Sequence, residues 1–272
     1  MNTLQIRKTD LKGGKPKVVV PLTGTYSAPL IHECSKALSL SCDMVEWRLD
    51  YYLSAIDDVQ DKLGDEKLFA ELLKCLDVMR FVLKDMPIIV TFRSKEQGGL
   101  MDADRTRKNL LLQVLAQSGL ADIIDVEYGD VERAMLDEET SSLIASLKEG
   151  GSAVMISYHD FNETPSAETL INLAARMKSL GADICKLATI ANSEEDIRTM
   201  EEALETIVDR KLDPVCGFCM GDEGQISRIT CGLHGSCLTY GALSEAVAPG
   251  QLDLATLREA VDKCYTELES ND

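Results

Sequence analysis

A single lysine interrupts an apolar run that otherwise predicts a buried strand. The run ADICKLATI begins at Ala182 and carries Lys186 near its centre. Burial disfavours the charged form of a lysine, and so do neighbouring cations. A neutral amine can attack a carbonyl carbon and form a Schiff base. Lys186 is therefore the candidate nucleophile.

A histidine lies near the end of the preceding apolar run. The run SAVMISYHD, from Ser152, places His159 next to its last residue. Imidazole exchanges protons near neutral pH, so His159 is the candidate general acid and base. The other two histidines are weaker candidates, because His32 falls in a helical pattern as a surface residue and His234 lies in a glycine-rich loop without an obvious partner.

Further polar residues share the strand faces of these two residues. Side chains alternate along a strand, and in a barrel one parity faces the centre. Unneeded buried charges are costly to desolvate, so neighbouring strands that all carry inward polar groups indicate a site. The predicted inward residues are Glu46, Arg48 and Asp50, then Thr91 and Arg93, Asp125 and Glu127, Ser157 and His159, and Ile184, Lys186 and Ala188.

Two signals near the end of the sequence indicate an anion. Arg228 follows the seventh strand pattern, and the segment APGQ, which ends at Gln251, follows the eighth. Loops at these positions often bind anionic groups in barrels, and a guanidinium pairs with a carboxylate through two hydrogen bonds. Together with Lys186, these residues predict a substrate that is an anion carrying a ketone.

Short apolar runs alternate with helical patterns along the sequence, which is typical of a parallel sheet with crossover helices. Eight such units in 272 residues favour an α/β fold of the (β/α)8 TIM barrel class. A doubly wound sheet usually has fewer strands and a glycine-rich first turn. Barrel active sites lie at the C-terminal ends of the strands, where the polar residues fall. The strand patterns are VVVPLTG from Val18, MVEWRLDYY from Met44, PIIVTFR from Pro87, ADIIDVEYG from Ala121, SAVMISYHD from Ser152, ADICKLATI from Ala182, PVCGFCM from Pro214 and CLTYGAL from Cys237.

The domain organisation follows from the same repeat. No linker or change in composition divides the sequence, which predicts a single barrel domain over residues 1–272. Residues 1–17 fall outside the repeat. They are predicted as an N-terminal extension or as a strand that covers the bottom of the barrel.

Composition argues against several partners and locations. The 28 Lys and Arg against 46 Asp and Glu give a formal charge of -18, which argues against nucleic acid or an anionic membrane surface as the main partner. The sequence has no apolar run of membrane-spanning length and no signal-peptide pattern, so a cytoplasmic location is expected. Nine cysteines without an export signal indicate reduced thiols. Cys216 and Cys219 fall three apart on a strand pattern and face opposite sides, which argues against a metal or redox motif.

The ordered set of motifs resembles type I 3-dehydroquinate dehydratase, the Schiff-base enzyme of the shikimate and quinate pathways. The resemblance extends from Val18 to the last helical pattern. It implies a (β/α)8 barrel that forms a homodimer, needs no metal or organic cofactor and takes 3-dehydroquinate as its small-molecule substrate. The motifs are EWRLD at 46–50, TFRSKEQGG at 91–99, SYHDFNETP at 157–165, ADICKLA at 182–188, SRI at 227–229 and APGQ at 248–251.

The resemblance also implies a role for each site residue. Lys186 forms the imine with the C3 ketone, while His159 removes the C2 proton and returns a proton to the departing C1 hydroxyl. Arg228 and Gln251 hold the substrate carboxylate. The remaining substrate-binding residues that the resemblance implies are Glu46 and Arg93 for the ring hydroxyls and Arg48 as their support.

Two residues depart from the family pattern. Many members have a glutamate directly before the Gly-Gly of the third-strand loop, where it orients and tunes the catalytic histidine, and this sequence has Gln97 there. A neutral amide can hydrogen-bond His159 but cannot stabilise its charged form. Val247 stands where relatives often have a serine near the carboxylate, and it supplies no hydroxyl. Gln97 and Val247, with the inward Glu127, are expected as supporting residues.

Two alternative functions stay open. An inward barrel lysine also serves class I Schiff-base aldolases, although SYHDF and APGQ fit that chemistry poorly. Gln97 and Val247 are also compatible with a divergent, non-catalytic barrel that binds a cyclic polyol acid. Loss of water, release of two carbon fragments, or binding without product would distinguish the three functions.

Overall fold

Parallel strands form the centre of the molecule. The computed structural model describes residues 2–129 and 139–269 of the chain. The strands in this part are β1 (Leu4–Ile6), β2 (Thr9–Leu11), β3 (Lys17–Leu22), β4 (Met44–Arg48), β5 (Ile88–Thr91), β6 (Ile123–Glu127), β7 (Ala153–Asp160), β8 (Ile184–Ile190), β9 (Val215–Met220) and β10 (Leu238–Tyr240).

The strands β3 to β10 form one eight-stranded sheet in the order β10-β3-β4-β5-β6-β7-β8-β9, and every neighbouring pair is parallel. The two outer strands meet at their N-terminal ends, where the backbone N–H of Cys237 donates to the carbonyl oxygen of Val215 over 2.8 Å. Val215 also bridges Ser236 in parallel register. The sheet is therefore a nearly closed barrel, and the predicted (β/α)8 fold is confirmed.

Helices surround this barrel and connect its strands. The side chains of Asp104, Ser166 and Ser193 each accept a hydrogen bond from the backbone N–H three residues later, which fixes three helix starts. The helices of the described residues are α1 (Ser27–Ser39), α2 (Leu49–Ser54), α3 (Val59–Lys62), α4 (Glu66–Leu83), α5 (Arg105–Gln117), α6 (Glu139–Glu149), α7 (Ala167–Ser179), α8 (Glu194–Asp209), α9 (Gln225–Thr230) and α10 (Leu254–Glu269), with 3-10 turns at Lys95–Gln97 and Cys231–His234.

The alternation of side chains along the strands creates two apolar cores. In β3, Val18 and Val20 pack in the core between the sheet and the helices, whereas Val19 packs inside the barrel. Strand register brings the inward residues into one row, because Val19 pairs with Met44, Ile89 with Ile123, and Met155 with Ile184. The polar inward residues of β5 to β8 follow two positions later, so they stand above an apolar floor.

A hairpin covers the N-terminal end of the barrel. The strands β1 and β2 pair antiparallel, and Ile6 and Leu11 are buried in the interior core with Val19 and Met44. The sequence left open an extension or a covering strand over residues 1–17, and the structure has a covering hairpin. The boundary was wrong by one residue, since Lys17 already belongs to β3.

The strand β4, the second strand of the barrel, is shorter than its sequence pattern MVEWRLDYY predicted. It ends at Arg48, and α2 begins at Leu49. Leu49, Tyr52 and Leu53 are all buried, and their spacing matches one face of a helix, so the apolar residues bury themselves better in this conformation. The prediction that Asp50 continues the inward face of the strand was therefore wrong.

The cysteines of the described residues are free thiols. Cys216 belongs to the core inside the barrel and Cys219 to the core outside it, as their strand spacing predicted. The two sulfurs therefore lie on opposite faces of the sheet. Among the described helices, none has the length and apolar character needed to cross a bilayer.

Candidate active site

A pocket opens at the C-terminal end of the barrel. Its lining contains nearly all of the predicted site residues, which come from six different strand ends and the loops after them. Glu127 is the exception, because it lies behind this lining. The predicted residues that line the pocket are Glu46, Arg48, Arg93, Gln97, His159, Lys186, Arg228, Val247 and Gln251.

Lys186 lies deep in this pocket, with 4% of its surface exposed. Its Nζ is 3.5 Å from Oε1 of Glu46 and 4.0 Å from the centre of the Tyr240 ring. The sequence predicted burial and neighbouring cations around this amine, and the structure adds a carboxylate as its ion-pair partner. The aromatic ring beneath the amine and the carboxylate beside it hold Nζ in one place.

Glu46 is ionised in this environment. Burial alone would raise the pKa of its carboxyl, but Lys186, Arg48 and Arg93 together hold that pKa below its usual value. Thr91 also donates a hydrogen bond to Glu46 over 2.9 Å. Glu46 therefore presents a negative charge and a hydrogen-bond acceptor to the pocket.

His159 is held by Gln97. The backbone N–H of His159 donates to Oε1 of Gln97 over 2.8 Å, and the same oxygen is 3.3 Å from Nδ1 of the ring. Because the backbone donor fixes the orientation of the amide, Nδ1 faces an acceptor and carries the proton. The opposite ring nitrogen, Nε2, is then a base with a free lone pair.

The electrostatics keep this imidazole neutral. Burial lowers the pKa of His159 well below its usual value, and the positive charges of Arg93, Lys186 and Arg48 lower it further. Phe161 stacks on the ring with its centre 6.4 Å away. A side chain at Gly98, which has φ +83°, would begin 2.4 Å from the Phe161 ring, so this loop position requires glycine.

Arg93 is held in the wall of the pocket by ion pairs and hydrogen bonds. It donates to Asp125 over 2.9 Å and to Ser157 over 2.7 Å, and it lies 3.4 Å from Glu127. Glu127 also accepts from Lys108 over 2.8 Å. Burial would raise the pKa of Glu127, but Arg93 and Lys108 lower it overall, so Glu127 is the buried counter-ion of both cations.

Arg48 forms a second closed pair. Its Nε and Nη2 each donate to a different oxygen of Asp50 over 2.8 Å. Asp50 also accepts from the backbone N–H of Leu100 over 3.0 Å. Asp50 therefore leaves the strand but still supports the site, because it connects Arg48 to the loop that carries Gln97.

Arg228 contrasts with the other arginines. Its side chain is fully buried, and its Nη2 donates to the carbonyl oxygen of Pro249 over 3.0 Å. Its Nε and Nη1 have no hydrogen-bond partner in the described residues, and burial lowers the pKa of this guanidinium to about 10. Phe218 packs 4.5 Å below it. An unpartnered guanidinium edge in a pocket is suited to bind an anion.

Gln251 and Val247 complete the loop beside Arg228. The Gln251 side chain accepts a hydrogen bond from the backbone N–H of Val247 over 2.9 Å. Its amide nitrogen is the group on this side chain that can donate. The side chain of Val247 offers no polar atom to the pocket.

Sequence reasoning missed three aromatic residues of the pocket, namely Phe161, Phe218 and Tyr240. The alternation in PVCGFCM and CLTYGAL was sufficient to orient Phe218 and Tyr240 inward at the C-terminal ends of β9 and β10. His234 was also misjudged, since its ring nitrogens lie 2.7 Å from Glu205 and 3.3 Å from Glu201. His32 is exposed, as predicted.

The sequence and fold of the chain match those of known proteins. Residues 18–267 match the family described as type I 3-dehydroquinase. The 3-dehydroquinate dehydratase of Listeria welshimeri is 34% identical over 267 residues, which are 98% of this chain and 100% of that protein. The same enzyme of Bacillus licheniformis is 34% identical over 97% of this chain and 98% of its own.

Solved structures extend the match. The type I 3-dehydroquinate dehydratase of Clostridium difficile, crystallised with covalently modified comenic acid, has a TM-score of 0.85, 28% identity and 98% coverage of both chains. The 3-dehydroquinate dehydratase of Geobacillus kaustophilus, at 24% identity and 97% coverage of both chains, has a TM-score of 0.86 and supports the fold. The chain therefore belongs to the type I 3-dehydroquinase family.

Proposed function

We propose that this chain dehydrates 3-dehydroquinate to 3-dehydroshikimate through a Schiff base on Lys186. The family and the names of the relatives support the reaction. The observation that carries the mechanism is one pocket in which a buried lysine, a neutral histidine and an unpartnered arginine edge converge. These three groups supply a nucleophile, a base and an anion site.

The chemistry begins with the amine. Lys186 attacks the C3 ketone, and the adduct takes up a proton from solvent and loses water to give a protonated imine. The positive imine nitrogen draws electrons from C2, so that Nε2 of His159 can remove a C2 proton. The resulting enamine expels the C1 hydroxyl, which takes a proton from His159 and leaves as water. Hydrolysis of the imine releases the product, and the net reaction is the loss of one water.

Substrate binding divides between two sides of the pocket. Arg228 and the amide nitrogen of Gln251 bind the carboxylate. Glu46 and Arg93 contact the ring hydroxyls, and the Arg48–Asp50 pair supports that side. Because these groups supply binding, orientation and proton transfer, no step of the mechanism calls for a metal or an organic cofactor.

Gln97 and Glu127 support His159 and Arg93. Gln97 keeps the proton of His159 on Nδ1, so that Nε2 on the opposite side of the ring is the base. Glu127 neutralises Arg93 and Lys108. Val247 contributes shape alone, so the carboxylate depends on Arg228 and Gln251.

An ultraviolet assay with 3-dehydroquinate tests the reaction, because the product is a conjugated enone. Borohydride added during turnover should reduce the imine and leave a stable adduct on Lys186, detected by peptide mass spectrometry. The Lys186→Ala variant should lose both signals, whereas the control Lys8→Ala, at an exposed position, should keep them. Two carbon fragments would instead indicate an aldolase, and binding without enone formation would indicate a sensor.

The cellular role and the assembly stay predictions. We expect the chain to act in the shikimate pathway or in quinate breakdown, since both contain this step. The single domain over residues 1–272, the homodimer and the cytoplasmic location rest on the sequence pattern and the family resemblance. Light scattering of the purified chain measures the oligomeric state, and growth of a dehydratase-deficient bacterium without aromatic amino acids tests the biosynthetic role.

A further inference from the structure

Tyr240 is a pocket residue to which the proposed mechanism gives no role. It ends β10, lines the pocket and is 5% exposed. Its hydroxyl is buried and has no hydrogen-bond partner in the described residues. A buried polar group without a partner is destabilising and rare in native proteins. Such a group in the wall of a pocket indicates a ligand that completes its hydrogen bonding.

The position of the ring identifies the part of the ligand involved. Nζ of Lys186 lies 4.0 Å from the centre of the Tyr240 ring. Phe218 flanks the same ring, with the two centres 5.9 Å apart. A ketone carbon that bonds to Nζ is therefore held close to the face of this ring.

Two other cationic donors of the pocket already have partners. Arg48 is committed to Asp50, and Arg93 to Asp125 and Ser157. Arg228 has unpartnered nitrogens, but its charge is suited to the carboxylate. The phenol of Tyr240 is thus the neutral donor beside Lys186 that still needs an acceptor.

We propose that Tyr240 is a further catalytic residue, whose hydroxyl donates a hydrogen bond to the ketone oxygen while Lys186 attacks the ketone carbon. This inference rests on the proposed function. As the Nζ–C bond forms, the π electrons of the carbonyl move onto oxygen, which then takes a proton lost by the attacking nitrogen. The same oxygen then takes a second proton, supplied by solvent water, and leaves as water when the protonated imine forms. Tyr240 keeps its own proton and stabilises the charge that develops on oxygen.

The protonation states agree with this division of work. Burial raises the pKa of Tyr240 well above its usual value, and Glu46 raises it further, so the phenol remains a donor. His159 is neutral and suited to act as a base. A permanently protonated donor beside the amine separates activation of the ketone from removal of the C2 proton.

The Tyr240→Phe variant tests the inference, because it removes the hydroxyl and keeps the ring under Lys186. We expect kcat to fall by about 100-fold, on the scale that loss of one oxyanion donor causes, with KM changed less than about threefold. The rate of borohydride-trapped imine formation in a single turnover should fall with kcat. The melting temperature should not fall, since the lost hydroxyl had no partner.

Tyr265→Phe is the matched control. This buried tyrosine donates to the backbone carbonyl of Thr230 over 3.4 Å and lies outside the pocket lining, so its kcat should equal that of the wild type. A Tyr240→Phe variant with wild-type kcat and trapping rate would overturn the inference and leave the proposed function standing. A wild-type chain that forms neither product nor trapped imine would overturn both.

Discussion

The two sides of the pocket differ in how far their polar groups are satisfied. The partnered wall, formed by Glu46, Arg48 and Arg93 with their bonded neighbours, has closed its ion pairs and hydrogen bonds within the protein. The unpartnered wall, formed by Arg228 and Tyr240, keeps buried donors that have no acceptor among residues 2–129 and 139–269. Both walls carry polar groups in one barrel, and the buried donors that have no acceptor in the described residues lie in the second wall.

This difference separates stability from binding. A buried ion pair holds its members in one geometry, and removal of one member leaves an uncompensated charge. A buried donor without a partner already carries that cost in the folded protein. Substitutions in the partnered wall should therefore change mainly the free energy of unfolding, and substitutions in the unpartnered wall should change mainly ligand binding.

The largest effect is expected from Arg93→Met on the partnered wall. The change leaves Asp125 and Glu127 buried without their guanidinium, and it should lower the free energy of unfolding by about 3–5 kcal/mol. Urea denaturation followed by circular dichroism measures this loss. Arg198→Met, which removes an exposed arginine of α8, is the control and should leave the free energy of unfolding nearly unchanged, because an exposed ion pair contributes little. A loss below 1 kcal/mol for Arg93→Met would erase the distinction between the walls.

The same substitution on the unpartnered wall, Arg228→Met, should act in the opposite way. It removes a buried charge without a carboxylate partner, so the free energy of unfolding should stay equal or rise. The KM for 3-dehydroquinate should rise by about 100-fold, or about 2.7 kcal/mol, because the carboxylate loses its guanidinium. An analogue without the carboxylate should bind wild type and variant equally. A large loss of stability with unchanged KM would assign Arg228 to the partnered wall.

A smaller effect is expected from Gln97→Glu, which adds a negative charge beside His159. A carboxylate beside Nδ1 favours the protonated imidazole and raises the pKa of His159. Since the base must be neutral, the acid limb of the profile of kcat/KM against pH should move to higher pH by about 1 unit, or 1.4 kcal/mol. In the wild type that limb should lie below pH 6.5, because burial and the neighbouring cations lower the pKa of His159.

The control for this pH shift is Gln113→Glu, which makes the same charge change on α5 outside the active-site pocket. It should leave the acid limb in place. An acid limb that Gln97→Glu does not move, or moves to lower pH, would show that Gln97 does not set the protonation of His159.

The smallest effect is expected from Val247→Ser. A hydroxyl beside Arg228 adds one hydrogen bond to the carboxylate, so KM should fall about two- to fivefold, or by about 0.5–1 kcal/mol. Val247→Ala is the control that shortens the side chain without a hydroxyl. If both variants change KM equally, the space at this position matters and the missing hydroxyl does not.

Strand parity explains how much of the site was predictable. Lys186, His159, Arg93 and Glu46 were oriented by alternation alone, because each strand carries an apolar face toward the helices that fixes the other face inward. Asp50 was placed wrongly, because the apolar residues after Arg48 suit a strand and a helix equally until tertiary packing decides.

The hydrogen-bond and ion-pair partners of the site residues were harder to predict than the positions of those residues. The sequence predicted an anion site at Arg228 from its loop position, but it did not show that Arg93 is paired and Arg228 is not, because this depends on which carboxylates the folded barrel brings within reach. Tyr240 gives the same lesson, since alternation orients its ring but cannot state that its hydroxyl lacks an acceptor. The hairpin of β1 and β2 was foreseen as one of two options, because three-residue strands carry too little pattern to decide.

That hairpin closes one end of the barrel and leaves an opening, the mouth, at the other end. Ile6 and Leu11 fill the N-terminal end, so ligands reach Lys186 past the loops at the C-terminal end. In the proposed cycle, two waters leave and one enters for each molecule converted, and all three share the route of the substrate and product. One product must therefore clear the mouth before the next substrate enters. A ligand that seals the mouth would halt imine hydrolysis together with exchange.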